Sequence, residues 1–198
     1  MIDFFIGLFL ANLIVSLFTT RLHMLILWYA LNSFSLGVAA LLIGKNLDDN
    51  PMILTGFVTI LLKSFILPYV LKHLSKKFKL KRQIAPNIKI PYAIILTPAV
   101  IVFTFYLSEP ILGGISSHQN YVAISIAAMF LSLILMLEHK NIAPKIIGFL
   151  SMENALFLLG ISATGGMPMI VELGIFFDLL MAIVVINLLF KKEEMQNV

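Results

Sequence analysis

Short polar breaks divide the chain into long stretches that are almost entirely apolar. An α-helix needs about 20 such residues to cross the hydrocarbon core of a bilayer. Charged residues, Gly and Pro, which end or start helices, lie between these stretches. The pattern predicts an all-α integral membrane protein with about seven transmembrane helices, at residues 2–19, 24–43, 52–71, 91–112, 121–137, 142–162 and 168–190.

The composition excludes an ordinary soluble domain. Of the residues, 60% are hydrophobic and 12% are charged, and the mean hydropathy is +1.02, whereas soluble domains are roughly 45–50% apolar and about 25% charged. The chain has no cysteine, which excludes disulfides, thiolate metal sites, iron–sulfur ligation and cysteine catalysis. No nucleotide-binding loop, serine elbow or zinc-binding helix is present. The residues therefore predict no catalytic centre, metal or cofactor.

Lys and Arg concentrate between the third and fourth predicted spans, in the loop at residues 72–90. Because short cytoplasmic loops carry the excess of basic residues, this distribution predicts an N-out, C-in topology. Topology alone accounts for the net charge of +4, so lipid is an expected partner and nucleic acid is not. The basic loop divides the chain into a three-helix segment with this loop, 1–90, and a four-helix segment, 91–198.

Four ionisable residues lie within predicted spans, where an isolated charge costs roughly 2.5–3.5 kcal/mol. They are Lys63, Glu153, Glu172 and Asp178. Glu153 and Asp178 are equally far from a Gly-Gly turn at residues 165–166 and are expected near the membrane midplane, with Glu172 roughly 9 Å nearer the outer face. Such groups mark ion pathways by default. The alternative is a structural ion pair or an interhelical hydrogen bond.

The remaining polar residues favour structural roles. Four histidines are flanked by loop residues and are expected to be interfacial side chains rather than metal ligands: His23, His73, His118 and His139. Three acids lie near span ends and are also expected to be structural: Asp3, Glu109 and Glu138. Four small polar residues are predicted to form hydrogen bonds across helices: Asn12, Asn32, Ser33 and Ser35.

The last three spans resemble a known family. Residues 147–155, Ile-Gly-Phe-Leu-Ser-Met-Glu-Asn-Ala, look like the second helix of the small K-type membrane subunit of respiratory complex I. Residues 171–174, Val-Glu-Leu-Gly, look like its third helix, which carries its second buried glutamate. The first buried glutamate of that family would fall at Leu150, whereas here the acid is Glu153, about 4.5 Å further along the helix.

The whole chain is similar to component E of membrane-bound hydrogenases of the hydrogenase-4 and formate hydrogenlyase type. This resemblance implies a non-redox accessory subunit, without cofactor, in the cytoplasmic membrane of a prokaryote. Its partners would be antiporter-like membrane subunits and, indirectly, a peripheral arm with nickel–iron hydrogenase and iron–sulfur subunits. The buried residues that would link the proton or Na⁺ paths are Lys63, Glu153, Glu172 and Asp178.

Two other functions stay open on the residues alone. The buried charges are also typical of a stand-alone transporter or channel for a small ion. The basic loop is also typical of a docking site on a structural membrane anchor for a peripheral enzyme. The three hypotheses differ in whether the chain acts alone, and in whether its buried acids or its basic loop are essential.

Overall fold

A computed structural model describes residues 1–77, 83–84, 90–112, 119–139 and 141–164 of the chain. Within these ranges the chain is helical and contains no β-strand, which confirms the predicted all-α class for this part of the protein. The last predicted span, with Glu172 and Asp178, lies outside the described residues.

The helices follow the apolar stretches of the sequence. They are α1 (Ile2–Leu17), α2 (Leu22–Asn46), α3 (Asn50–Thr59), a π-helix (Ile60–Ile66), α4 (Leu67–Lys77), α5 (Ile90–Leu112), α6 (Gln119–Glu138) and α7 (Ile142–Thr164). Helix α3, the π-helix and helix α4 follow one another without a break. The third predicted span, 52–71, therefore lies within one longer helical segment, Asn50–Lys76.

Four of the described helical segments are long and apolar enough to cross a membrane: Leu22–Asn46, Asn50–Lys76, Asn120–Glu138 and Ile142–Ala163. Two shorter apolar segments accompany them, Ile2–Leu17 and Ala93–Ser108. Large apolar side chains also face outward, among them Phe4, Leu54, Phe65, Val102 and Phe103. These features are consistent with a multi-pass membrane protein. The number of seven spans and their orientation stay predictions.

The helices pack mainly as neighbours in sequence. Extensive contacts join α1 to α2, α2 to α3, and α6 to α7, while α2 also contacts α7 and α1 contacts α6. The Tyr121 hydroxyl donates a hydrogen bond to Asp3, which brings the beginnings of α6 and α1 together. At the opposite end, the Ile84 amide donates to the Thr20 carbonyl. The contact between Tyr121 and Asp3 shows that α1 and α6 begin at the same end of the bundle.

The turn between α2 and α3 is short because polar residues complete both helix ends. Asp48 has a positive φ of 49°, which reverses the chain direction. The Asp49 side chain then accepts a hydrogen bond from the Met52 amide, 3.3 Å away, and Pro51 occupies the first turn of α3, where its missing N–H costs little. These contacts make α3 return alongside α2.

Two glycines allow α2 and α3 to approach closely. A Cβ atom on Gly56 would lie 2.9 Å from the Leu41 amide nitrogen and 3.0 Å from the Gly37 carbonyl oxygen. A Cβ atom on Gly37 would lie 2.5 Å from Ile60 Cγ1, at the start of the π-helix. Small residues allow such backbone contacts between helices in membranes. This packing holds the π-helix against α2.

Candidate functional site

Lys63 and Glu153 form an ion pair in the interior of the bundle. Lys63 Nζ lies 3.1 Å from Glu153 Oε1, and the two side chains are 3% and 8% exposed. The residues are 90 positions apart in sequence. The sequence predicted that both are buried but left the partner of Lys63 open. The structure identifies an acid of the same chain, Glu153, as a partner of Lys63.

The π-helix carries Lys63, which is its buried residue. Pro68 follows shortly after and has no N–H to donate, and its ring crowds the carbonyl group four residues earlier. The Leu67 amide instead donates to the Leu62 carbonyl, five residues back. Ser64 Oγ donates a 3.0 Å hydrogen bond to the Ala30 carbonyl and thereby fixes the π-helix to α2. Segments of π-helix are rare and are frequent at functional sites.

A buried polar network holds α7 next to the ion pair. Asn154 Nδ2 donates to Asn32 Oδ1 at 3.0 Å and to Ser33 Oγ at 2.8 Å. Asn32 Nδ2 in turn donates to the Phe9 carbonyl at 2.8 Å. The network therefore joins α7, α2 and α1. It fixes the position of Glu153, the residue directly before Asn154.

A second polar contact also joins α1 to α2. Asn12 Nδ2 donates to Ser35 Oγ at 3.4 Å. Together with the bonds of Asn32 and Ser33, this contact confirms the prediction that the small polar residues of the first two spans form hydrogen bonds across helices. Polar contacts of this kind contribute to helix association where no water competes.

The charges of Lys63 and Glu153 compensate one another in a region that water reaches poorly. Removing one partner of such a pair leaves a buried charge without compensation, which costs several kcal/mol. A separation of 3.1 Å is within hydrogen-bonding distance. The contact is therefore both an ion pair and a charge-assisted hydrogen bond.

A second pair of buried ionisable residues lies at the end of α6. Glu138 and His139 are each 1% exposed, and His139 Nδ1 lies 3.2 Å from the Leu135 carbonyl oxygen. Burial lowers the pKa of His139, while the hydrogen bond to Leu135 acts in the opposite direction. The sequence indicated their place at a span end, but not their burial, because flanking loop residues suggested an interfacial, accessible position.

The described residues contain two of the four predicted ion-path side chains, Lys63 and Glu153, and the structure brings these together. Glu172 and Asp178 lie outside the described residues. Sequence reasoning did not find the π-helix around Lys63. The signal that could have indicated it is Pro68, which disturbs the hydrogen bonds of the preceding turn.

Comparison with known proteins adds a relative of similar length. The chain is 25% identical over 187 residues to a protein of Mycobacterium tuberculosis with the name "Uncharacterized protein Rv0085", and the match covers 92% of this chain and 84% of that protein. No protein-family model matches the chain. No solved structure matches it either.

Proposed function

We propose that the chain is a non-redox membrane subunit of a complex I-related, energy-converting hydrogenase assembly. In this proposal Lys63 and Glu153 form part of a proton or Na⁺ translocation path, which Glu172 and Asp178 continue. The buried ion pair between Lys63 and Glu153 is the observation on which the proposal rests. The family resemblance of residues 147–155 and 171–174 supplies the assembly.

The chemistry of the pair suits a relay. A lone buried lysine or glutamate changes the local net charge when it exchanges a proton, which is costly in a low-dielectric region. An adjacent Lys63–Glu153 pair redistributes one proton internally without such a change. A proton that arrives at Glu153 from a neighbouring group then leaves Lys63 with an uncompensated charge, which favours release of the Lys63 proton in turn.

The proposed topology has seven spans in the cytoplasmic membrane of a prokaryote. The N-terminus lies on the outer side of this membrane and the C-terminus on the cytoplasmic side. Its support is the apolar pattern of the sequence and the concentration of basic residues in the loop at residues 72–90. Antiporter-like membrane subunits would be the lateral neighbours of this chain. The peripheral arm with nickel–iron hydrogenase and iron–sulfur subunits would be an indirect partner.

The test uses the intact complex with Glu153→Gln. This variant keeps the size of the side chain and one acceptor oxygen for Lys63 but removes the negative charge and the ability to accept a proton. We expect the complex to assemble, with ion translocation per electron lowered by about a hundredfold or more, because a positioned proton-transfer group contributes typically about 10²–10⁴-fold. Translocation is measured in membrane vesicles, and assembly is measured by copurification of the hydrogenase subunits.

A charge-swapped variant, Lys63→Glu with Glu153→Lys, separates a relay from a structural pair. It keeps an ion pair in the same place but reverses the order of donor and acceptor. A relay predicts that the swapped complex assembles and still translocates poorly. Wild-type translocation by the swapped variant or by Glu153→Gln would contradict the proposal.

Two further measurements distinguish the other hypotheses. A stand-alone transporter predicts ion flux through liposomes that contain only this purified chain, whereas the proposal predicts none. A structural anchor predicts that neutralising four lysines of the basic loop, Lys76, Lys77, Lys79 and Lys81, releases the partner subunits while Glu153→Gln has no effect. The proposal predicts instead that Glu153→Gln lowers translocation, whereas neutralising these four lysines does not.

A further inference from the structure

A groove of about 1030 Å³ opens on the side of the bundle between α2 and the segment that runs from the π-helix into α4. It begins near His23 and Lys76 and extends to Ala30 and Ser64. Leu27, on its wall, is 47% exposed, so the groove is open laterally. It lies beside the ion pair and includes neither Lys63 nor Glu153 among its described lining residues.

The groove has one wall from each of two helical segments. Ser64, Pro68, Lys72 and Lys76 recur every four residues, a spacing that puts them near one face of a helical segment. The groove therefore runs along this segment for about 18 Å, at a rise of about 1.5 Å per residue. That length is slightly more than one leaflet, about 15 Å, of a ~30 Å hydrocarbon core.

The polarity of the groove changes along this length. Two exposed lysines and the exposed His23 lie at one end, while Leu27, Ala30 and Pro68 line the deeper part. The described lining residues include no acid. The positive charge at this end therefore has no internal counter-charge within the lining, and an anionic group from outside would supply it.

We propose that this groove binds one anionic phospholipid. The phosphate group contacts the ammonium groups of Lys72 and Lys76, and one acyl chain lies along Leu27 towards Ala30. Basic pockets between membrane helices on the cytoplasmic side bind anionic headgroups in this way. The predicted topology puts the lysines on that side, where anionic lipids give the membrane surface its negative potential.

A phospholipid fits both ends of the groove at once. Inorganic phosphate would satisfy the lysines but leave the apolar length unfilled. A purely apolar partner helix would fill that length but leave two cationic groups without a counter-charge. The lipid proposal does not depend on the proposed proton path, because it uses only the surface between α2 and α4. Failure of one therefore leaves the other unaffected.

The test measures lipid binding to the purified full-length chain in nanodiscs or mild detergent, with phosphatidylglycerol as the anionic probe and phosphatidylcholine as the neutral one. We expect Lys72→Gln with Lys76→Gln to lower the affinity for phosphatidylglycerol roughly 25-fold, about fivefold per lysine. The matched control, Lys45→Gln with Lys145→Gln, removes the same charge from two exposed lysines outside the described lining. We expect it to change affinity less than about twofold.

A second variant tests the apolar part of the groove. Ala30→Phe adds a bulky side chain to the deep end without changing any charge. We expect it to weaken phosphatidylglycerol binding several-fold and to leave binding of inorganic phosphate unchanged. Lipid binding is followed by native mass spectrometry, and melting temperatures establish that each variant is folded.

Four outcomes would overturn the proposal. Equal loss in the control variant would indicate diffuse attraction to basic residues. Equal binding of phosphatidylcholine would indicate a site without charge selectivity. Full competition by inorganic phosphate, together with no effect of Ala30→Phe, would indicate a site for a free anion. Cross-linking of Leu27→Cys to another subunit in the intact complex, instead of lipid retention, would indicate a protein partner.

Discussion

Glu153 and Asn154 are neighbours in sequence but contact different parts of the bundle. Glu153 Oε1 contacts Lys63 on the π-helix, whereas the Asn154 amide donates to Asn32 and Ser33 on α2. The amide contacts restrict the rotation of α7, so that the carboxylate points towards Lys63. At the residue scale, a neutral side chain therefore positions a charged one.

The first prediction concerns the stability that this ion pair provides. Lys63→Met or Glu153→Met alone leaves one buried charge without compensation and is expected to lower the free energy of unfolding by about 3–5 kcal/mol. The double variant removes both charges and is expected to lie within about 1–2 kcal/mol of the wild type. Denaturation of the purified chain in mild detergent measures these differences. Additive losses in the double variant would show that the two residues do not interact.

The second prediction uses the pH dependence of stability. Burial lowers the pKa of His139 below its ordinary value of 6.5. As the pH falls through 6.5, the unfolded chain therefore gains a proton that the folded chain does not accept. The contribution of His139 to stability should therefore decrease below that pH, with a slope of at most about 1.4 kcal/mol per pH unit.

The matched variant for this measurement is His139→Gln, which retains a donor for the Leu135 carbonyl but does not titrate. We expect it to remove the His139 contribution to the slope between pH 7 and pH 5, while any contribution of the neighbouring Glu138 stays. An identical slope in the wild type and in His139→Gln would contradict the prediction.

At the scale of elements, hydropathy located the helices well but did not give the end of every helix. The sixth predicted span, 142–162, corresponds to α7 at Ile142–Thr164. The third, 52–71, ends too early, because α4 continues through Lys72 to Lys77. Lysine ends an apolar stretch but is a good helix former, so composition marks the expected membrane edge rather than the helix end.

The third prediction tests the close packing of α2 and α3. Gly56→Val places side-chain atoms against the Leu41 amide and the Gly37 carbonyl, which are backbone atoms and cannot rotate away. Such overpacking should cost about 1–3 kcal/mol. It should also move the π-helix and weaken the contact between Lys63 and Glu153.

Gly7→Val is the matched control, because a Cβ atom on Gly7 would meet nothing within 4 Å. We expect this variant to unfold at nearly the wild-type temperature. Thermal unfolding of both variants in the same detergent provides the comparison. Equal effects of the two substitutions would show that the α2–α3 contact is not close-packed.

At the scale of the whole molecule, the predicted orientation can be tested directly because the chain contains no cysteine. The fourth prediction is that Asn46→Cys reacts with a membrane-impermeant maleimide applied to intact cells, whereas Gln83→Cys reacts only after permeabilisation. Both positions are exposed, and the helical segment Asn50–Lys76 separates them. Labelling of both from the same side would contradict a membrane crossing by this segment.

The sequence by itself determined the class of protein and the approximate place of each described helix. Hydropathy and helix length are local properties, and a chain with so few charges can bury its backbone polar groups in a bilayer only by forming helices or a closed barrel. The sequence also identified Lys63 and Glu153 as buried ionisable groups, since each lies within a long apolar stretch.

Only the tertiary structure decided which of these groups meet. Helical periodicity gives the face on which a residue lies but not the helix opposite that face. The contact between Lys63 and Glu153 depends on the glycine packing of α2 with α3, on the π-helix before Pro68, and on the position of α7. These features combine residues up to 122 positions apart, because long-range packing joins elements that no local pattern relates.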